Sequence, residues 1–265
     1  MRDSRNDPSS PAPPVRIAVY GAAGRMGERL AEACQDSERA SLGPCIVREA
    51  DARPGYVMPP QVDERAFDVL VEFTHQAGFE EVAEWAIRWN RPWVSGTTGL
   101  TAANQERLRT AAENIPVLWA PNMSLGIALL SRAIREAAHL LPPEWQMEIV
   151  ETHHPEKLDA PSGTALALAE LWQLERGGDI TTGRAGRSGP RPDDEIGIHA
   201  LRLPDIVGEH RVFLGGPDET LEWNHRAHDR GAFVRGALEA ANWLATKKAG
   251  LFSLEDWARD RLENR

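Results

Sequence analysis

The chain has 265 residues, 42% of them hydrophobic and 26% charged, with a formal net charge of −10. That length buries one large core or two modest ones, and so acidic a chain, with no basic patch, repels a phosphate backbone and excludes nucleic acid as a partner. No apolar run approaches the ~18 residues of a membrane span, and the two cysteines, Cys34 and Cys45, lie in no metal-type spacing and read as reduced thiols. Residues 1–14 are polar and rich in Ser and Pro. They lack the apolar stretch of a signal peptide and read as a disordered tail, so the expected location is cytoplasmic.

In chain order, Val15–Tyr20 reads as a buried strand and Gly24–Gln35 as a helix. Ser41–Val47 and Asp68–Phe73 are the next strands, followed by a helix over Ala77–Trp89. Pro92–Ser95 is a short strand, Thr101–Glu113 a helix, and Pro116–Trp119 another strand. Strands alternating with helices pair in parallel through right-handed crossovers, which makes a doubly wound sheet of the Rossmann type. The pattern changes after Met123. A helix over Ser124–Leu141 stops at Pro142-Pro143, and Trp145–His153 follows as a strand. Pro161–Arg176 reads as a helix with proline in its first turn, and Gly177–Asp194 as a loop. Three strands in succession, Glu195–Leu203, Ile206–Gly215 and Thr220–Ala227, predict a second α+β domain with a mixed open sheet. Helices return over Gly231–Lys248 and Ser253–Leu262. The expected division is a dinucleotide-binding domain of residues 15–123 with 231–265, and a substrate domain of residues 124–230.

The first strand runs straight into Gly21-Ala22-Ala23-Gly24-Arg25-Met26-Gly27. Gly21 suits a tight turn, Gly24 a close approach to a pyrophosphate, and Gly27 tight packing of the helix on the sheet. The helix start behind them offers N–H groups and the positive dipole end to phosphates. About 20 residues on, an acidic residue selects the ribose 2′-hydroxyl and an arginine a 2′-phosphate. Here the strand ends Ile46-Val47-Arg48-Glu49. Val47 takes the acid's place and Arg48 follows, so the expected cofactor is NADPH in preference to NADH. Gly96-Thr97-Thr98-Gly99 and Ala120-Pro121-Asn122-Met123 lie at strand C-terminal ends, where small polar residues suit the nicotinamide and its ribose.

The second chemical stretch is Glu151-Thr152-His153-His154-Pro155-Glu156-Lys157-Leu158-Asp159-Ala160-Pro161-Ser162-Gly163-Thr164-Ala165. Two histidines leave a strand end, a lysine follows, and a helix begins whose N–H groups around Ser162-Gly163-Thr164 form an anion site. Imidazole and ammonium beside such a helix start suit an anionic substrate that is protonated during reaction. Six of the eight histidines lie between His153 and His228. Adjacent side chains on a strand point to opposite faces, which argues against His153 and His154 sharing a metal ion. His225 alternates with Leu221 and Trp223 and reads equally as a core histidine.

Val15–Gly27, Phe73-Thr74, Gly96–Gly99, Ala120–Met123, Glu151–Ala165, Asp205–His210 and Leu221–His225, in that order, resemble the 4-hydroxy-tetrahydrodipicolinate reductases. The resemblance runs from Val15 to the end of the chain. It implies reduction of a cyclic imine dicarboxylate by NADPH or NADH on the route to diaminopimelate and lysine, in a homotetramer. It implies His153 as proton donor and acceptor, Lys157 as the main proton donor, His154 as substrate-binding, and Gly163 and Thr164 as holders of a carboxylate. The cofactor would be held by Gly21, Ala22, Ala23, Gly24, Arg25, Met26, Arg48, Gly96, Thr97, Thr98, Ala120, Pro121, Asn122 and Met123. No metal is implied. The chain departs from the family pattern at His75-Gln76 after Phe-Thr and at Leu203-Pro204 before Asp205. Two rival readings are another nicotinamide-dependent dehydrogenase and a non-catalytic dinucleotide-binding protein. Neither requires His-His-x-x-Lys ahead of Asp-Ala-Pro-Ser-Gly-Thr.

Overall fold

The structure is a computed structural model that describes residues 13–264. The expectation of a disordered tail over residues 1–14 falls almost wholly outside the described residues. Two compact units divide the chain: one runs through Trp119 and takes up Ala237–Phe252, and the other comprises Ala120–Gly236 with the residues from Ser253 on.

The first unit is built on β1 (Val15–Tyr20), β2 (Ala40–Ile46), β3 (Val69–Glu72), β4 (Trp93–Ser95) and β5 (Pro116–Trp119). Ile17, Ala18, Val19 and Tyr20 are all buried, as are all four residues of β3. Burial on both faces is the signature of a strand inside a parallel sheet, where no polar-out alternation is needed. Helix α1 (Arg25–Gln35) follows β1, α2 (Phe79–Trp89) follows β3 and α3 (Ala102–Ala112) follows β4. Helix α2 buries Phe79, Val82, Ala83, Ala86 and Trp89, a stripe at helical spacing. Each large side chain it removes from water contributes roughly 1.5–3 kcal/mol. The helix ends at Asn90, whose left-handed conformation (φ 50°) closes it. Thr101 and Asn104 cap α3 reciprocally.

All pairings in this sheet are parallel, in the order β11-β5-β4-β3-β1-β2, where β11 is Gly250–Phe252. The chain winds outward in both directions from β1, so the strand order reverses there and the crevice at its C-terminal end is the ligand position of such sheets. The three-residue strand β11 was not expected from sequence. It is an edge strand, too short to carry an apolar pattern.

In the second unit, α4 (Leu125–Leu140) leads to β6 (Gln146–His153) and α5 (Gly163–Arg176), followed by β7 (Asp179–Thr182), β8 (Glu195–Arg202), β9 (Gly208–Gly215) and β10 (Thr220–Ala227). The sheet order is β10-β9-β6-β8-β7. β6, β8 and β7 run parallel, while β9 opposes β6 and β10 opposes β9, so the expected mixed sheet is present. Helices α4 and α5 cover one face, packing Ile127, Leu130, Ile134, Leu168 and Trp172 against Met147, Ile149, Ile198, Val212 and Leu214.

Three sequence expectations differ from the structure. The stretch Gly177–Asp194, read as loop, contains β7. Its Ile180-Thr181-Thr182 run is β-branched, but the surrounding glycines and charges mask it. Pro161 is not in the first turn of α5; Ser162 is the N-cap, and Pro161 precedes it. The returning segment is also shorter than residues 231–265. The division between units falls within α6 (Gly231–Leu244), and α7 (Leu254–Glu263) packs on α4, where Arg135 meets Glu255. Ala120–Met123 likewise belongs to the second unit rather than the first.

Candidate active site

Gly21 ends β1 with φ +77°, and the N–H groups of Gly21 and Ala22 both donate to the Ile46 carbonyl, which pins the turn to the end of β2. A Cβ on Gly27 would collide with the Gly21 carbonyl oxygen and the Ala22 backbone, so only glycine lets α1 approach this closely. The N-cap of α1 is Gly24, which contributes no side-chain cap. A helix start leaves its first N–H groups for an outside acceptor, and here no side chain competes for them. This cradle of bare backbone fits a dinucleotide pyrophosphate.

Beside the turn, Val47 is buried and Arg48 is exposed, as the cofactor argument requires. Arg48 pairs with Asp51 at 3.2 Å, both side chains largely in water, and such a pair is worth about 1 kcal/mol or less.

The loops after β3 and β4 are tied together by Glu72, which is fully buried. Its carboxylate accepts from the Thr74 N–H (2.8 Å), the Thr74 hydroxyl (2.9 Å), the Ser95 hydroxyl and the Thr97 hydroxyl (2.8 Å). The Thr97 carbonyl accepts from Trp119 Nε1 at 3.0 Å. Thr97 therefore turns its hydroxyl and carbonyl inward, and Thr98 is the exposed member of Gly96-Thr97-Thr98. Sequence reasoning did not single out Glu72 as the hub of this loop pair.

In the second unit, His153 sits at the end of β6, nearly buried, with Nδ1 2.6 Å from Glu151 Oε2. Residues two apart on a strand share a face, which brings the two together. Glu151 is fully buried and saturated. Arg202 donates to both of its oxygens, each at 3.0 Å, and the Ser162 N–H donates at 3.0 Å. Burial pushes the Glu151 carboxyl up, but His153 and Arg202 outweigh it and hold it below the usual carboxylate range. An ionised Glu151 accepts the Nδ1 hydrogen of His153 and leaves Nε2 as the ring nitrogen without a carboxylate partner. That atom lies over Gly208, where a Cβ would come within 3.0 Å of it.

The His154 carbonyl accepts the Lys157 N–H at 3.1 Å in the turn after β6, and the Lys157 ammonium reaches Asp159 at 2.8 Å. Burial raises the Asp159 carboxyl, but Lys157 and the Gly163 N–H more than reverse this and lower it. Asp159 thus occupies the donors of Lys157 and Gly163. Thr164 Oγ1 accepts from Asn122 Nδ2 at 3.0 Å, linking the start of α5 to the segment before α4. The structure therefore brings His153, Lys157, Gly163 and Thr164 into one neighbourhood. It ties Asn122 to Thr164 rather than to the glycine turn. Glu151 and Arg202, which orient the imidazole, were not picked out from sequence, although the i, i+2 spacing of Glu151 and His153 was visible.

A bare backbone turn after the first strand of a parallel sheet and, in the second unit, an imidazole oriented by a carboxylate near an ammonium fit a dinucleotide-dependent reductase. That is the class of protein the fold and the site define. Family models described as dihydrodipicolinate reductase, N-terminus and C-terminus, match residues 15–123 and 126–257. The chain is 41% identical over 251 residues to a 4-hydroxy-tetrahydrodipicolinate reductase of Sulfurimonas denitrificans, covering 91% of this chain and 98% of the relative. It is also 41% identical over 246 residues to that of Haloarcula marismortui, with the same coverage. Among solved structures, a dipicolinate-bound dihydrodipicolinate reductase from Paenisporosarcina sp. TG-14 superposes with a TM-score of 0.75 at 25% identity, over 92% of this chain and 99% of that one. An engineered D-amino acid dehydrogenase bound to NADP+ shares the fold, at a TM-score of 0.56 and 16% identity over 92% and 94% of the two chains. The chain belongs to the dihydrodipicolinate reductase family.

Proposed function

We propose that the protein reduces 4-hydroxy-tetrahydrodipicolinate to tetrahydrodipicolinate, on the route to diaminopimelate and lysine. The observation that carries this reading is the ionised, buried Glu151 orienting His153 beside the start of α5, within a chain of this family. The bound nicotinamide supplies a hydride to the substrate ring. The ring loses its 4-hydroxyl as water, so the balance calls for a proton delivered by the protein. Lys157 is the proposed main donor, with His153 Nε2 giving and retaking a proton while its Nδ1–H stays on Glu151. The Gly163 and Thr164 N–H groups hold one substrate carboxylate, displacing Asp159 from Lys157 and Gly163, and His154 contacts the substrate. These fixed donors offset the negative charge that develops during reduction.

Gly21 to Met26 cradle the pyrophosphate, with Gly96 to Thr98 and Ala120 to Met123 toward the nicotinamide. NADPH is the proposed preference over NADH, supported by buried Val47 and exposed Arg48. A homotetramer is proposed as well. The sheet face opposite α4 and α5 carries Val150, Phe213 and Leu201 partly exposed among charged side chains, which suits burial against another copy. No helix among the described residues is long and apolar enough to cross a membrane. Cys34 and Cys45 are free thiols, which fit the proposed cytoplasmic location.

The test is direct. The protein is mixed with freshly prepared 4-hydroxy-tetrahydrodipicolinate, and loss of reduced-nicotinamide absorbance is followed. Consumption of NADPH faster than NADH supports the reading, and no consumption of either cofactor defeats it.

A further inference from the structure

Three histidines lie in one row across the inner face of the second unit's sheet. In the strand register His210 of β9 stands opposite Glu151 of β6, and His225 of β10 stands opposite His210. The rings of His153 and His210 are 5.2 Å apart and nearly perpendicular, and those of His210 and His225 are 6.3 Å apart. His210 and His225 each bond the N-cap serine of a helix. His210 Nε2 is 3.1 Å from Ser162 Oγ at the start of α5, and His225 Nε2 is 2.9 Å from Ser124 Oγ at the start of α4.

The cap leaves the Ser162 hydroxyl a hydrogen for His210. Ser162 Oγ already accepts the Ala165 N–H, so its own hydrogen is free to donate to His210 Nε2. The other ring nitrogen, Nδ1, is buried and has no partner among the described residues. Burial pushes the imidazole down to about 3, helped by the charges of His153 and His225. The ring faces Glu151 and His153 on β6, His225 on β10, Ser162 on α5 and the Lys157 ammonium in the turn. The contacts close a loop: His153 to Glu151, Glu151 to the Ser162 N–H, the Ser162 hydroxyl to His210, and His210 back to the His153 ring.

We propose that His210 is a positioning residue of the reductase: as a neutral ring anchored by Ser162, it braces the His153 imidazole and provides the polar surroundings in which His153 takes up a proton. The proposal rests on the reading of His153 as a proton-transfer group. Loss of the ring leaves His153 in a less polar site, which disfavours its charged form. It also frees the imidazole to move, and misplacement of about 1 Å costs on the order of a hundredfold in rate.

The experiment is the pH profile of kcat for the wild type, His153→Gln, His210→Leu, His210→Gln and Ser162→Gly. His153→Gln identifies the limb that belongs to His153. His210→Leu is expected to lower kcat on the order of ten- to a hundredfold and to move that limb to lower pH. His210→Gln keeps an acceptor for the Ser162 hydroxyl and is expected to restore both in large part. Ser162→Gly removes the hydroxyl while glycine remains a good N-cap, and is expected to shift the limb in the direction of His210→Leu. It decides the matter if the leucine variant does not fold. A limb that vanishes in His153→Gln but stays in place in His210→Leu and Ser162→Gly overturns the proposal alone. A limb that survives in His153→Gln overturns the reading of His153 and the role of His210 with it.

Discussion

The two units build their sites from opposite materials. At the end of β1 the site is backbone: three glycines, an uncapped helix start and a carbonyl that a Cβ on Gly27 would strike. At the end of β6 it is side chains, with a saturated Glu151, an oriented His153 and a paired Lys157. The comparison teaches that the first site is sensitive to added atoms and the second to removed charges. The two proposed roles, cofactor binding and proton transfer, are therefore separable by mutation.

The largest effect is expected from Lys157→Ala, which lowers kcat by roughly 10²–10⁴-fold if Lys157 is the main donor. Dinucleotide affinity, measured by titration calorimetry, stays near wild type. Wild-type turnover in this variant removes Lys157 from the mechanism. The mirror experiment is Gly27→Val, which drives atoms into the Gly21 carbonyl and the Ala22 backbone. It is expected to abolish measurable dinucleotide binding and to cost about 1–3 kcal/mol of stability in urea unfolding. Undiminished dinucleotide affinity would break the backbone half of the comparison.

An intermediate effect concerns pH and stability. The folded pKa of His210 lies at about 3, well below the ordinary 6.5, so the unfolded chain binds more protons between those values. Stability from this group is complete above 6.5 and is lost as pH falls through that window. Between pH 7 and pH 5 the loss amounts to up to about 2 kcal/mol. Burial lowers His225 too, and it acts in the same direction. The urea midpoint of the wild type should fall across this range, and that of His210→Gln should fall less. Equal slopes would show that His210 is not held neutral by burial. The smallest effect is expected from Arg48→Ala. The exposed position limits the loss to about 1 kcal/mol, read as a several-fold fall in kcat/KM for NADPH with little change for NADH. An equal fall for both cofactors would deny Arg48 a role in reading the 2′-phosphate.

Much of the fold was legible because its signals are local. The strand, glycine turn and helix at Val15–Gln35 and the stripe of α2 all lie within short windows. Edge strands β7 and β11 were not, because short and partly exposed strands carry little apolar pattern. Helix α7 reads correctly as a helix, but nothing in its own residues says that it packs on α4. The same division holds in the site. His153, Lys157, Gly163 and Thr164 are close in sequence and were recognised together. Arg202 reaches Glu151 from 51 residues away and His210 reaches Ser162 from 48. Only strand register brings them there, and a shift of one residue would turn each to the other face. His225 shows the limit well, since its alternation with Trp223 fits both a core residue and a member of the histidine row.

The most direct measurement is a crystal structure of the protein with reduced dinucleotide and dipicolinate. The predicted result has one dicarboxylate carboxyl on the N–H groups of Gly163 and Thr164, Lys157 turned from Asp159 to the ligand, and His153 Nε2 facing the ring while Nδ1 stays on Glu151. A dicarboxylate bound away from the start of α5, with Lys157 still held by Asp159, would contradict the account.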